Sequence, residues 1–166
     1  VVVESANASE SKVTAGASVK PASATEPAAV GVGASVGMNV AVNTTVAEIG
    51  NAASVSNAND LDLTAKADHA LTNIVTGGAS GADISVTPVA AITVAVNTTT
   101  VRLGTGTQLD LLGAYTSSAE QTSSSAATAT GQTQGNNVAV GASIALNNST
   151  DTVTAEVERD ISATGD

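Results

Sequence analysis

The residues able to do chemistry are few, and most of them lie in one run. The only histidine, His69, closes the segment Asp60-Leu61-Asp62-Leu63-Thr64-Ala65-Lys66-Ala67-Asp68-His69. Read as a strand, this segment sets Asp62, Thr64, Lys66 and Asp68 along one face, where two carboxylates beside an imidazole sketch a metal site. The plainer reading is a solvated strand. The related run at Leu109-Asp110-Leu111 carries Tyr115-Thr116-Ser117 where the first has Ala67-Asp68-His69, so no repeated ligand array stands behind the site. Neither a metal nor another cofactor is expected. Calcium-binding glycine–aspartate nonapeptides are missing too, and Gly78-Ala79-Ser80-Gly81-Ala82-Asp83 reads as a glycine-rich turn.

Serine and threonine abound, but a nucleophile needs a base within hydrogen-bond reach, and one histidine beside a weakly patterned stretch does not make a triad. A paired-carboxylate glycan hydrolase, the third reading in order, would want a cleft lined by aromatics, of which the chain has only Tyr115. The expectation is that the protein is not an enzyme. Asn-x-Ser/Thr sequons occur at Asn7, Asn43, Asn97, Asn147 and Asn148; turn chemistry accounts for them before glycosylation does.

The elements that must position these groups are built from small side chains. The 166 residues include no Phe, Trp or Cys, one Met and one Tyr, so Val, Ile, Leu and Ala have to fill any core. Thin stacked layers suit that composition better than a thick globular interior. A formal net charge of −10 opposes nucleic acid and anionic lipid. No apolar run approaches the roughly 18 residues of a membrane span, so no membrane insertion is expected. Without an initiator Met or a basic leader at Val1-Val2-Val3-Glu4, the sequence reads as a piece of a longer chain.

Three segments, 30–43, 84–97 and 138–147, share one alternating pattern ending in Asn. Anchored on those Asn residues, Asn97 follows Asn43 by 54 positions and Asn147 follows Asn97 by 50. Val30, Val32, Ala34, Val36, Met38, Val40 and Val42 hold every second position of the first segment, the period of a strand. Pro88 interrupts the second copy and predicts a strand end, bulge or edge. After the Asn the apolar phase flips, which predicts a structural corner at Asn43, Thr44 and Thr45, at Asn97, Thr98 and Thr99, and at Asn147. Leu61-Asp62-Leu63, Leu109-Asp110-Leu111 and Val1-Val2-Val3 read as copies of a further strand, and the Ala/Ser/Thr stretch 117–130 as a weak strand or a loop. Aligning the strands that follow the corners makes Glu48, Arg102 and Glu156 equivalent and outward, a candidate charge ladder. If each repeat wound two coils, those charges would stand ~10 Å apart and be largely screened.

The expected fold is all-β: an elongated β-solenoid, β-helix-like, with repeats of about 50 residues and two coils in each. The alternative is an elongated two-layer β-sandwich or β-roll of meandering strands. One continuous domain divides into 1–29 (end of a preceding repeat), 30–83, 84–135, and 136–166 (start of a further repeat).

The runs at 31–51, 91–104 and 136–150, written GVGASVGMNVAVNTTVAEIGN, AITVAVNTTTVRLG and NNVAVGASIALNNST, resemble the strand repeats of leukotoxin-type filamentous adhesins and related giant bacterial surface proteins. The resemblance covers nearly the whole chain. It implies a secreted, cysteine-poor, β-helical fibre at the bacterial cell surface, acting in adhesion or host-cell contact. The Tyr that such repeats carry in the Ala47-Glu48-Ile49 strand is missing. The expected function is therefore a structural stalk segment, associating with itself through the strand edges at its ends. The alternative is a module that recognises a host glycan or receptor through a solvent face around Tyr115 and the acidic Leu-Asp-Leu strands.

Overall fold

The computed structural model describes residues 1–18 and 29–164. Residues 19–28, part of the segment expected to end a preceding repeat, lie outside the described residues, as do 165–166. The described chain holds nine strands and no helix: β1 (Val2–Ser18), β2 (Val30–Val32), β3 (Ser35–Ile49), β4 (Leu61–Gly81), β5 (Ile84–Leu103), β6 (Leu109–Leu111), β7 (Tyr115–Gly135), β8 (Val138–Val157) and β9 (Ile161–Ala163).

Every pairing is parallel. One sheet runs β1-β4-β7, a second has β5 between β2/β3 and β8, and β6 pairs with β9 on a short third side. Each circuit of the chain goes out along one long strand, reverses, returns along a second and closes over the short side. The next circuit stacks beneath it, Leu61 on Tyr115 and Ile84 on Val138, a step of 54 residues. Parallel partners so far apart exclude the meander of the alternative, although two layers do face each other. They also correct the two coils expected per repeat: one repeat makes one circuit, because its strands are 20 and 21 residues long rather than short.

The constant register corrects the repeat anchors. Asn97 pairs with Asn43 and with Asp151, while Asn147 pairs with Thr93. Val3 does stack on Leu63, but Leu63 stacks on Ser117; Leu109-Asp110-Leu111 is the separate strand β6. The two Leu-Asp-Leu runs look alike because each turns two leucines into the same apolar end. Strand β7 takes in the whole 117–130 stretch; Ser, Thr and Ala suffice where β4 supplies the ladder.

No corner forms at Asn43, Thr44 and Thr45, at Asn97, Thr98 and Thr99, or at Asn147: β3, β5 and β8 run straight through them. Odd-numbered residues face inward along β3 and β5, before and after the Asn. What flips is the side that carries the apolar residues. Ahead of the Asn the two sheets nearly touch, and a Cβ on Gly33 would collide with the Gly78 carbonyl. The inner face there can hold only small or slender groups, so the valines stand outside. Beyond the Asn the third side opens the interior, and Ala47, Ile49, Leu61, Leu63, Val101, Leu103, Leu109 and Leu111 fill it as the main core. Each such Leu or Val contributes roughly 1.5–3 kcal/mol.

Pro88 lies inside β5, the central strand of its sheet, and not at an end or edge. Its missing donor shows in the neighbour: Gly33 and Ala34, opposite it, are where β2 gives way to β3. The third side, with little ladder of its own, is tied between circuits by side chains. Asn51 Oδ1 accepts the Thr105 N–H at 3.0 Å, and Asp60 Oδ1 accepts the Ala114 N–H at 2.9 Å, each 54 residues on.

Candidate functional site

The middle of the interior, between its narrow and wide ends, is polar. His69 is fully buried and faces inward, away from Asp62, Thr64, Lys66 and Asp68, which share the outer face. A strand cannot bring an inward residue to its outward neighbours, so the sketched metal site is not assembled. Beside the ring stand Ser9 and Ser123, its register partners, in place of the sequence-aligned Ser117.

His69 Nδ1 is 2.8 Å from Ser9 Oγ, which donates to Asn43 Oδ1 at 3.3 Å. With its proton on Asn43, Ser9 Oγ is left to accept from His69 Nδ1, and His69 Nε2 is buried without a partner. Asn43 Nδ2 then donates to Asn97 Oδ1, and Asn97 Nδ2 to Asp151 Oδ1, both at 2.8 Å. A second branch runs from Thr99 Oγ1 to Gln121 Oε1 and from Gln121 Nε2 to the same Asp151 Oδ1, again at 2.8 Å. Every donor in this chain points toward one carboxylate, and such chains polarise cooperatively. The hydrogen bond from Asn97, with smaller help from Ser123 and Ser149 and from the charge of His69, holds Asp151 below the usual carboxylate range against the desolvation that would raise it.

Asn43 and Asn97 are thus interior ladder residues, neither turn formers nor open glycan acceptors. Thr44 and Thr98 face outward, while Thr45 and Thr99 are buried. Asn147 repeats a different contact. Ser125 Oγ donates to its Oδ1 at 2.6 Å and its Nδ2 donates to the Ser125 carbonyl at 2.8 Å; Ser11 and Asn39 make the same pair in the first circuit.

At the wide end Glu48, Arg102 and Glu156 are register partners on the outer face. Arg102 lies between two carboxylates, those of Glu48 (3.6 Å) and Glu158 (2.6 Å), and it reaches Glu158 rather than its register neighbour Glu156. It also donates to Asn51 Oδ1 at 3.2 Å. The bond to Glu158, then the charge of Glu48, raises its pKa, against the desolvation that lowers it.

Arg159 carries a role not read from the sequence. Its guanidinium is buried and donates to four carbonyls on two earlier circuits: Gly104, Ala53 (2.7 Å), Gly50 (3.0 Å) and Thr105 (3.2 Å). Only a residue with several fixed donors can join so many acceptors. Gly106 makes the room, since a Cβ there would press on the guanidinium. The one available signal was an Arg in a Glu/Asp-flanked turn. Tyr115, expected on a solvent face, packs against the main core with its hydroxyl buried and unpartnered.

The two outer faces differ in kind. The β1-β4-β7 face carries Glu4, Glu10, Lys12, Asp62, Lys66, Asp68 and Glu120, with a Lys66–Glu120 pair at 3.7 Å over a shallow depression. The β2/β3-β5-β8 face carries Val36, Met38 and Val40 on β3, Ile92 and Val94 on β5, and Ile144 and Leu146 on β8. Several of these are more than half exposed. Compared with known protein families, curated proteins and solved structures, the chain matches none.

Proposed function

We propose that this chain is a structural stalk segment of a secreted bacterial surface fibre, with its stacked circuits forming a β-solenoid whose axis is the axis of the fibre. The observation that carries the reading is the parallel register, held at a constant 54 residues through β3-β5-β8. Such a repeat buries its apolar groups against its neighbours, so the same local contacts extend to any length. Both ends are open. β1 and β3 present free edges at one, β7 and β8 at the other, and the inward-facing residues of β8 are largely exposed.

A further circuit, from the same chain or from a second copy, would cover them, which makes end-on self-association the expected partner chemistry. The likeness of the 31–51 run to adhesin repeats supports the cell-surface setting. No reaction is assigned: the one Ser–His contact lies between the sheets, where it closes a hydrogen-bond chain. Electron micrographs and fibre diffraction test the proposal. Filaments with a ~4.8 Å repeat along the axis are expected; a strictly monomeric species at high concentration, by light scattering, would count against it.

The depression lined by Asn7, Lys66, Asp68 and Glu120 favours a second reading, in which the charged face binds a host glycan or receptor. Saturable binding lost on Lys66→Ala and Asp68→Ala would establish that reading; a stalk shows no such isotherm.

A further inference from the structure

We infer that the apolar outer face of the β2/β3-β5-β8 sheet is an interface with a second copy of this chain, packed face to face about a two-fold axis. The inference stands whether or not the chain belongs to a fibre. The face is composed as an interior is. Val36 and Met38 on β3, Ile92 and Val94 on β5, and Ile144 and Leu146 on β8 stand in three adjacent rows, with Val36 at 69% and Met38 at 65% exposure. Along the outer rows of β5 and β8 no charged residue intervenes before Arg102 and Glu156 at the wide end. Monomeric proteins rarely leave so continuous an apolar surface in water.

Three arguments select a second copy. The first is area. About 13 residues of strand at ~3.3 Å, across three strands at ~4.8 Å, give roughly 600 Å² on each copy. Doubled, that is about 1,200 Å², the lower bound of a stable, specific interface. The second is charge. The opposite face of the slab carries Glu4, Glu10, Asp62, Asp68 and Glu120. The apolar face of one copy can therefore meet only the apolar face of another without stranding carboxylates, and such an isologous contact closes at two. The third is shape. Ala34, Pro88, Ala90 and Ala142 form a dimple between Val36 and Ile144, which suits a side chain from a facing sheet ~10 Å away.

Sedimentation equilibrium on the whole chain tests this, comparing wild type with Met38→Lys and Leu146→Lys. Both sites are more than half exposed, so the circular dichroism of the fold should not move. Wild type is expected to show a discrete monomer–dimer step at concentrations below those of any end-on assembly, and each lysine variant to weaken that step at least tenfold. End-on assembly does not saturate at two and survives both variants, which separates the two contacts. A wild type that stays monomeric, a dimer indifferent to both lysines, or adsorption to phosphatidylcholine vesicles without dimerisation would overturn the inference.

Discussion

Single residues decide how one circuit holds the next. Asp151 ends both donor chains, and its pKa lies below the usual carboxylate value. A lowered folded value adds stability that is complete above the unfolded pKa and is lost as pH falls through the folded one. Asp151→Asn keeps an acceptor for Asn97 but cannot titrate. The stability difference between wild type and variant, from urea melts, should be constant from pH 7 to about 4 and shrink below that; parallel curves down to pH 2 would dismiss the chain as a source of stability.

Arg159 is expected to matter more. Arg159→Met leaves the Gly104 and Ala53 carbonyls without a donor, while those of Thr105 and Gly50 keep backbone N–H partners, and should cost roughly 3 kcal/mol, with little dependence on salt. Arg102 is half-buried on the outer face and paired with two carboxylates near solvent, so Arg102→Glu should lower the melting temperature at low salt and by less at high salt. An equal loss at both would point to packing of the Arg102 stem.

Among the elements, what could be read from the sequence was the alternation, because period two belongs to the strand itself. Residues 84–97 and 138–147 are all strand, and so is 30–43 apart from the break at Gly33 and Ala34. Which face points inward was not readable there. Alternation with Gly, Ala, Ser and Asn opposite Val suggests a buried valine row, yet close approach of the two sheets inverts it, a distance that only the folded pair defines. The same inversion made Asn43 and Asn97 look like corners and concealed the ladder through Asp151. His69 was separable in principle, since its parity differs from that of Asp62, Thr64, Lys66 and Asp68. The tight approach has its own test. Gly33→Ala would drive a Cβ into the Gly78 carbonyl and should destabilise by about 1–3 kcal/mol, whereas Gly78→Ala, with ordinary contact to the Ala17 carbonyl, should be nearly neutral. Equal tolerance of both would mean the narrow end is looser than described.

For the molecule as a whole, the physics is that of a slab. One face is charged, the other apolar, and among the described residues the two ends are open edges. In the assembly proposed above, length would grow by circuits and thickness by pairing faces, each through a different surface. Both depend on one circuit per 54 residues. The Cys-free chain allows a direct measurement: Val40→Cys with Val94→Cys, oxidised mildly and mapped by peptide mass. The two are register partners on neighbouring parallel strands, ~4.8 Å apart and within the span a disulfide bridges. The bridge should close readily, while Val42→Cys with Val94→Cys, about 8 Å apart, should not. Two circuits per repeat would hold Val40 and Val94 ~10 Å apart, so failure of the in-register pair to close, or equal closure of the offset pair, would contradict the stacking on which everything else rests.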